Sequence, residues 1–284
     1  MANRVRKAVF PVAGLGTRLL PATKTIPKEM LTIVDRPLIQ YAVDEAREAG
    51  IEEMIFVTGR GKSTLVDYFD MAFELETTMR SKGKSLDALE PARARFGEVV
   101  TVRQQQPLGL GHAVWCAREI VGDEPFAVIL PDDLMMPGAL KPMVEAWEKT
   151  GGNLVATEEV PADKTGSYGI ITPGTTEGAL TEVRGLVEKP APEQAPSRLG
   201  VIGRYILQPE IFAILDKGET GAGGEIQLTD AMAKLIGKQP FHALTVEAVR
   251  HDCGDKAGFV IANLAIALGR EDLEPKVRDA ISRL

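Results

Sequence analysis

Apolar residues in the first half of the chain arrive in short unbroken runs, separated by stretches where they recur every three or four positions. Met54, Ile55, Phe56 and Val57 form one run within residues 53–58, and residues 7–13 hold another. Strands apolar on both faces suit a parallel sheet covered by helices on each side. Between them, residues 37–49 keep a helical period through Leu38, Tyr41, Ala42 and Glu45, with Pro37 fitting the first turn and Gly50 the stop. The alternation continues with helices over 63–69 and 74–81, a strand over 98–104 and a helix over 111–120. A strand over 126–130, a helix over 139–149 and a strand over 153–157 complete it. This rhythm predicts an α/β fold: a Rossmann-like open, mixed but mostly parallel sheet flanked by helices. Ligands bind such sheets beyond the carboxyl ends of the strands.

From Pro161 the texture changes. Short strand-like pieces over 169–172, 180–188 and 200–207 are separated by Gly/Pro-rich turns such as 190–196. We read a smaller, more antiparallel subregion packed on the same core. Helices then return over 209–215, 225–236, 256–268 and 274–284. With no internal repeat or low-complexity linker, the chain reads as one domain with two halves and a helical C-terminal end.

Composition narrows the picture. The chain has 284 residues, 44% of them hydrophobic, which is ample for a full core and near the upper limit for a single one. The formal net charge of -7 argues against a nucleic-acid partner, which calls for a basic face. Cys116 and Cys253 stand far apart, a pattern that suits a reducing cytoplasm, with Cys116 expected to be a small buried residue. His112, His242 and His251 lack zinc-ligand spacing. Residues 1–9 lack the apolar centre of a signal peptide, and the apolar stretch 259–268, broken by Asn263, is too short to cross a membrane. These features predict a soluble cytoplasmic protein.

The most informative segment follows the first strand: Ala13-Gly14-Leu15-Gly16-Thr17-Arg18, then Lys24, Pro27, Lys28 and Glu29. Two glycines let backbone N–H groups turn toward an anion. Between Gly14 and Lys28 lie three cations (Arg18, Lys24 and Lys28) and no acid, against the sign of the whole chain. A triphosphate needs such a local concentration of donors. A dinucleotide fingerprint would want a third glycine and an immediate helix, but Leu19 follows and Pro21 and Pro27 predict an extended loop. A Walker A loop would need a glycine five residues before Gly61-Lys62-Ser63, where Phe56 stands.

This segment, with residues 25–31 (TIPKEML) and 34–41 (VDRPLIQY), resembles the signature of the sugar-1-phosphate nucleotidyltransferases. The likeness is to bacterial UTP–glucose-1-phosphate uridylyltransferases in particular and runs over about residues 7–268. It implies the nucleotide-diphospho-sugar transferase type of fold, with a nucleotide-binding half about 1–160, a sugar-phosphate half about 161–255 and C-terminal helices 256–284. It further implies that Ala13, Gly14, Gly16 and Thr17 wrap the nucleotide. Arg18 would neutralise the triphosphate and Lys28 would assist at the phosphates. A homodimer or homotetramer is also implied.

Three further constellations carry chemistry. Residues 104–113 (QQQPLGLGHA) place amides, able both to donate and to accept, where a uracil edge can be read. The resemblance assigns the base to Gln104 and Gly109, although Gln105 and Gln106 leave the register open. The strand ending Ile129-Leu130-Pro131-Asp132-Asp133 brings acids to the expected cleft. Magnesium on phosphates takes one or two protein carboxylates. Asp132 matches the family's metal ligand, Asp133 is expected to face the loop, and Asp252 is expected as the second ligand. The bland reading makes Asp133 and Asp252 helix caps. Finally, Tyr168-Gly169 and Val187-Glu188-Lys189-Pro190 join a carboxylate suited to hexose hydroxyls to an ammonium suited to a phosphate. The resemblance gives Gly169 and Glu188 to the sugar hydroxyls, Lys189 to the phosphate and Val201 to the sugar wall. It gives no chemical step to residues 221–230, where Glu225 and Thr229 read as a helix N-terminus.

The expected reaction is attack of a glucose 1-phosphate oxygen on the α-phosphorus of UTP, with pyrophosphate leaving. The nucleophile is already anionic, so no general base is needed, and positioning and charge neutralisation do the work. Magnesium on Asp132 and Asp252 would bridge the reacting phosphates. The rivals are a thymidylyltransferase on the same fold, a non-catalytic nucleotide-sugar-binding module and an NAD-dependent oxidoreductase.

Overall fold

The computed structural model describes residues 4–283. Nine strands form its main sheet: β1 (Lys7–Pro11), β2 (Glu53–Thr58), β3 (Val99–Arg103), β4 (Phe126–Ile129), β5 (Asn153–Glu159), β6 (Gly169–Glu177), β7 (Leu180–Glu188), β8 (Leu199–Leu207) and β9 (Phe241–Thr245). Their order is β3-β2-β1-β4-β8-β5-β9-β7-β6, with a further pairing of β8 to β6. The strands β3, β2, β1 and β4 run parallel to one another. Strand β8 enters antiparallel between β4 and β5, while β9 is parallel to β5 and antiparallel to β7. The expected mixed sheet is therefore present, parallel over β3, β2, β1 and β4 and with its antiparallel pairings on the far side.

Alternation along each strand sorts the core onto two faces. Val9, Ile55, Val57 and Val128 pack on one face against the helices Leu110–Trp115, Ile211–Leu215 and Leu228–Ala233. Ala8, Phe10, Met54, Phe56 and Ile129 pack on the other, against Leu38–Glu48 and Leu140–Thr150. Successive strand side chains point to opposite faces, so an unbroken apolar run feeds both layers. Each fully buried Val, Ile or Phe is worth about 1.5–3 kcal/mol, which pins register as well as stability.

Several boundaries depart from expectation. The helix expected over 225–236 begins only at Leu228, because Glu225 is extended. The helix expected over 111–120 divides into Leu110–Trp115 and Arg118–Val121. The C-terminal helix runs Glu274–Ile281, and Leu284 lies outside the described residues. Strand β9 was not anticipated, nor was a two-stranded antiparallel ribbon of Asp133–Met136 with Val249–Asp252. Cys253 is buried as a small apolar residue would be, whereas Cys116 is only half-buried. No helix among the described residues is long and apolar enough to cross a membrane.

Because β1 to β4 share direction and register, the segments after Pro11, Thr58, Arg103 and Ile129 leave the sheet at one edge. Antiparallel β8 brings its own beginning, Gly200 and Val201, to that same edge.

Candidate active site

Beyond β1 the chain does not start an α-helix. It makes three short 3-10 turns, Thr17–Leu19, Ala22–Lys24 and Lys28–Met30, in place of the extended loop read from the prolines. The Thr23 hydroxyl donates to the Gly16 carbonyl at 2.7 Å, closing the turn on itself. Glu29, almost fully buried, pairs with Lys62 at 2.9 Å. The lysine that resembled a phosphate-loop residue therefore anchors the third of these turns, Lys28–Met30. Arg18 stays exposed, and Lys28 reaches across to Asp132 at 2.5 Å.

Asp132 and Asp252 come together through the ribbon. Asp252 pairs with Asp133 across it, and the Cys253 N–H donates to the Asp132 carbonyl at 2.7 Å. Gly254 measures the convergence. A Cβ there would stand 2.6 Å from an Arg18 nitrogen, 2.9 Å from Asp252 Oδ1 and 3.1 Å from Asp132 Oδ2. A side chain there would crowd all three charged groups, and one point is thus shared by two carboxylates and a guanidinium. Among the described residues no cluster of three or more His, Cys, Asp or Glu side chains suits a metal. Two carboxylates plus phosphate oxygens and water is the donor set that magnesium takes in phosphoryl-transfer sites, so the residues fit the ion. Burial pushes the Asp132 carboxyl up, but Lys28 beside it, together with a backbone hydrogen bond and Arg18, holds it below the ordinary aspartate range. Burial likewise works against the Lys28 ammonium, and Asp132 with Glu29 more than offsets it, leaving Lys28 above the usual lysine value. Both groups stay charged at neutral pH.

Asp133 does not face the loop. Its carboxylate accepts from Arg250 at 2.8 Å and from the Gly203 N–H at 3.0 Å, and Arg250 also holds Glu158 and the Tyr168 hydroxyl. Nor does Asp252 cap the following helix, since Asp255 does so by accepting from the Gly258 N–H at 2.9 Å. Below the acids lies Arg204, buried against Glu45 at 2.6 Å. Its donors are fully used: Nε and one terminal nitrogen reach Glu45, and the rest reach the carbonyls of Leu130, Gly203 and Asp133. A guanidinium has five N–H groups in a rigid fork. Here the fork grips the backbone on either side of Pro131 and Asp132. Glu45 also accepts from the Ala139 and Leu140 N–H groups at 2.9 Å, opening the helix Leu140–Thr150. Sequence reasoning missed this assembly, counting Glu45 only as a helical-period position. A charged residue at a core position of that period was the available signal.

On the sugar side, Gly169 and Glu188 face each other across the β6–β7 ladder. Lys189 follows in the left-handed region, φ 47°, with its N–H on the Tyr168 carbonyl at 2.9 Å and its ammonium 3.2 Å from Glu188. A non-glycine residue held there costs about 1–3 kcal/mol, and such strain gathers at ligand sites. Thr229 lies against Gly169, at 3.1 Å from where a Cβ would stand. Val201 sits buried in β8 two residues before Gly203, whose N–H meets Asp133. At about 3.3 Å per strand residue, β8 sets the two constellations roughly 7 Å apart along its length.

The third group lies after β3. Gln104 donates through Nε2 to the Gly109 carbonyl at 3.0 Å and toward His112 Nδ1 at 3.1 Å. Gly109 has φ 106°, and a Cβ on it would stand 2.8 Å from the Ile226 carbonyl. The Ile226 N–H and carbonyl in turn bond Leu108 and Gly111, each at 2.8 Å. The segment 221–230, to which sequence reading gave no chemical step, thus clamps the Gln104–Gly111 loop at Ile226.

At this sheet edge a glycine turn, two carboxylates and two cations come together, an arrangement chemically suited to phosphoryl transfer. Residues 7–267 match the family model described as "Nucleotidyl transferase", and the chain belongs to that family. Within it, the similarity runs to uridylyltransferases. The UTP–glucose-1-phosphate uridylyltransferase of Komagataeibacter xylinus is 55% identical over 260 residues, 90% of this chain and 92% of that protein. The enzyme of the same name from Bacillus subtilis (strain 168) is 48% identical, covering 97% of this chain and 95% of its own. The solved structure of a UTP-bound UGPase from Acinetobacter baumannii superimposes with a TM-score of 0.89 at 42% identity, covering 99% of each chain. A UDP-glucose pyrophosphorylase complexed with UDP-glucose gives 0.83 at 45% identity, over 94% of this chain and all of that one.

Proposed function

We propose that this chain transfers the uridylyl group of UTP to glucose 1-phosphate, yielding UDP-glucose and pyrophosphate. The observation that carries this reading is the convergence of Asp132, Asp252 and Arg18 on one point beside Gly254, with Lys28 on Asp132. The names of the relatives at 55% and 48% identity supply the substrates. In this reading Ala13, Gly14, Gly16 and Thr17 wrap the triphosphate, Arg18 and Lys28 neutralise it, and Gln104 with Gly109 holds the base. Gly169, Glu188 and Val201 receive the hexose, and Lys189 holds its phosphate. Asp132 and Asp252 would hold magnesium, which supplies Lewis-acid neutralisation of phosphoryl charge.

The nucleophile is a phosphate oxygen of the sugar phosphate. It forms a bond to the α-phosphorus as the bond to the bridging oxygen breaks, and no side chain needs to take a proton. What the protein contributes is alignment of two anions that would otherwise repel, plus fixed positive charge where negative charge gathers.

A pyrophosphate-release assay with glucose 1-phosphate and UTP, dTTP, CTP, ATP or GTP tests the reading. UTP is expected to give the highest kcat/KM, and EDTA is expected to abolish release. Release with none of the five overturns the proposal. Lys189→Ala is expected to raise the KM for glucose 1-phosphate by about tenfold or more, the scale of a lost charged hydrogen bond, and to leave the KM for UTP nearly unchanged. A change confined to the UTP parameters would show that the two halves have been assigned the wrong way round.

A further inference from the structure

Gln104 is more constrained than a base-reading amide needs to be. Its carboxamide nitrogen has two hydrogens, and two acceptors lie within reach: the Gly109 carbonyl at 3.0 Å and His112 Nδ1 at 3.1 Å. A backbone carbonyl can only accept, so the carboxamide atom that faces Gly109 must be the nitrogen. Two N–H donors cannot face each other at the second distance, so Nδ1 must carry a lone pair and the imidazole hydrogen sits on Nε2. There it points toward Cys116 Sγ, 3.9 Å away. The ring is stacked on Trp115 with centroids 5.7 Å apart, and the Arg118 guanidinium lies over the Trp115 ring, 3.7 Å from its centroid. Burial pushes the His112 pKa down, against the opposing pull of the Gln106 carbonyl, which favours the neutral ring this arrangement needs.

The consequence lies with the third polar atom. Among the described residues, nothing donates to Gln104 Oε1, and it is not a buried orphan. The side chain therefore offers the ligand an acceptor and no donor. Uracil and thymine carry an N3–H that satisfies an acceptor, whereas cytosine presents a lone pair at N3. Turning the amide over to suit cytosine would set Oε1 against the Gly109 carbonyl and the Nδ1 lone pair, losing two hydrogen bonds and adding repulsion. Rejection by this route works through the cost to the wrong partner.

We propose that His112 is a positioning residue that locks the Gln104 carboxamide in one orientation and thereby makes the site select pyrimidines bearing an N3–H over cytosine. This rests on the reading above that the base sits on Gln104.

The test uses two replacements with opposite losses. His112→Phe keeps an aromatic ring for the Trp115 stack and removes the acceptor. His112→Asn gives up the stack and keeps an acceptor near the Nδ1 position. Steady-state kinetics with UTP and CTP at saturating glucose 1-phosphate, beside thermal midpoints, are measured for both variants, wild type and Gln104→Ala. For H112F we expect the UTP KM to rise about tenfold, the scale of one lost hydrogen bond, with kcat and the glucose 1-phosphate KM within about twofold. The UTP-to-CTP ratio of kcat/KM should fall by about the same factor, and H112N should stay near wild type. An unchanged ratio in H112F, or H112N behaving worse than H112F, overturns the lock and leaves only a packing role. Wild-type behaviour in Q104A overturns the placement of the base itself, and the lock with it, whereas impaired Q104A beside normal H112F overturns the lock alone.

Discussion

Asp132→Asn is expected to lower kcat by about 10²–10³-fold, the scale of removing one preorganised electrostatic contact at a reacting centre. Asparagine has nearly the same shape and can still accept the Lys28 hydrogen bond, now 2.5 Å long. What it loses is the negative charge that shares one point with Asp252 and Arg18. The thermal midpoint near pH 7 should fall, because the ion pair it breaks is mostly buried, with only 17% and 20% of its side chains accessible. The pH dependence should change in a defined direction. The Asp132 carboxyl is lowered in the folded state because Lys28, a backbone hydrogen bond and Arg18 together outweigh burial. Its contribution to stability is therefore present above the ordinary aspartate pKa and lost as pH falls below it toward the folded value. Acid titration of Tm for wild type and D132N should show that the variant has lost this segment of the curve. Near-normal turnover of D132N in saturating magnesium would falsify the assignment of Asp132 to the ion.

The second large effect is on stability. Glu45→Ala should cost about 3–5 kcal/mol, because it leaves a buried guanidinium without its counter-charge. In this size range that corresponds to a Tm lower by roughly 10 °C. Two helix N–H groups, those of Ala139 and Leu140, lose their acceptor in the same step. Arg204 is 1% exposed and Glu45 6%, so water has little access to compensate. Replacing both members, Glu45→Leu with Arg204→Met, should recover much of the stability, as apolar replacements of buried pairs often do. It should not recover turnover. Arg204 also holds the carbonyls of Leu130 and Asp133, which flank the segment carrying Asp132, and methionine cannot. Full activity in a stable double variant would show that this grip has no bearing on the site.

These two residues mark the limit of what was legible beforehand. Asp132 was readable because its signal is local: an apolar run that ends in acids places those acids at a strand terminus. The glycine turn with Arg18 and Lys28 was readable for the same reason, as was Glu188-Lys189 at the end of β7. Strand β9 was missed because Phe241–Thr245 is short and is fixed as a strand by pairing to β5 and β7, both distant in sequence. The ribbon of Asp133–Met136 and Val249–Asp252 was missed for a similar reason, since its partners are far apart in sequence. Asp133 was misread as facing the loop because its partners, Arg250 and the Gly203 N–H, lie 117 and 70 positions away, beyond the reach of any local pattern.

From its residues alone, the chain determined the alternating elements, the two-faced core, the glycine turn and the strand-end acids. Each depends on contacts or periodicities within a few positions, and those survive in a linear reading. Only the folded chain decided which acid meets which cation. Asp252 reaches Asp132 because the ribbon pairs, Glu45 meets Arg204 from 159 positions away, and His112 closes on Gln104 because Gly109 turns the loop between them. Electrostatic and hydrogen-bond partners at these distances are chosen by packing geometry, which sequence spacing does not encode.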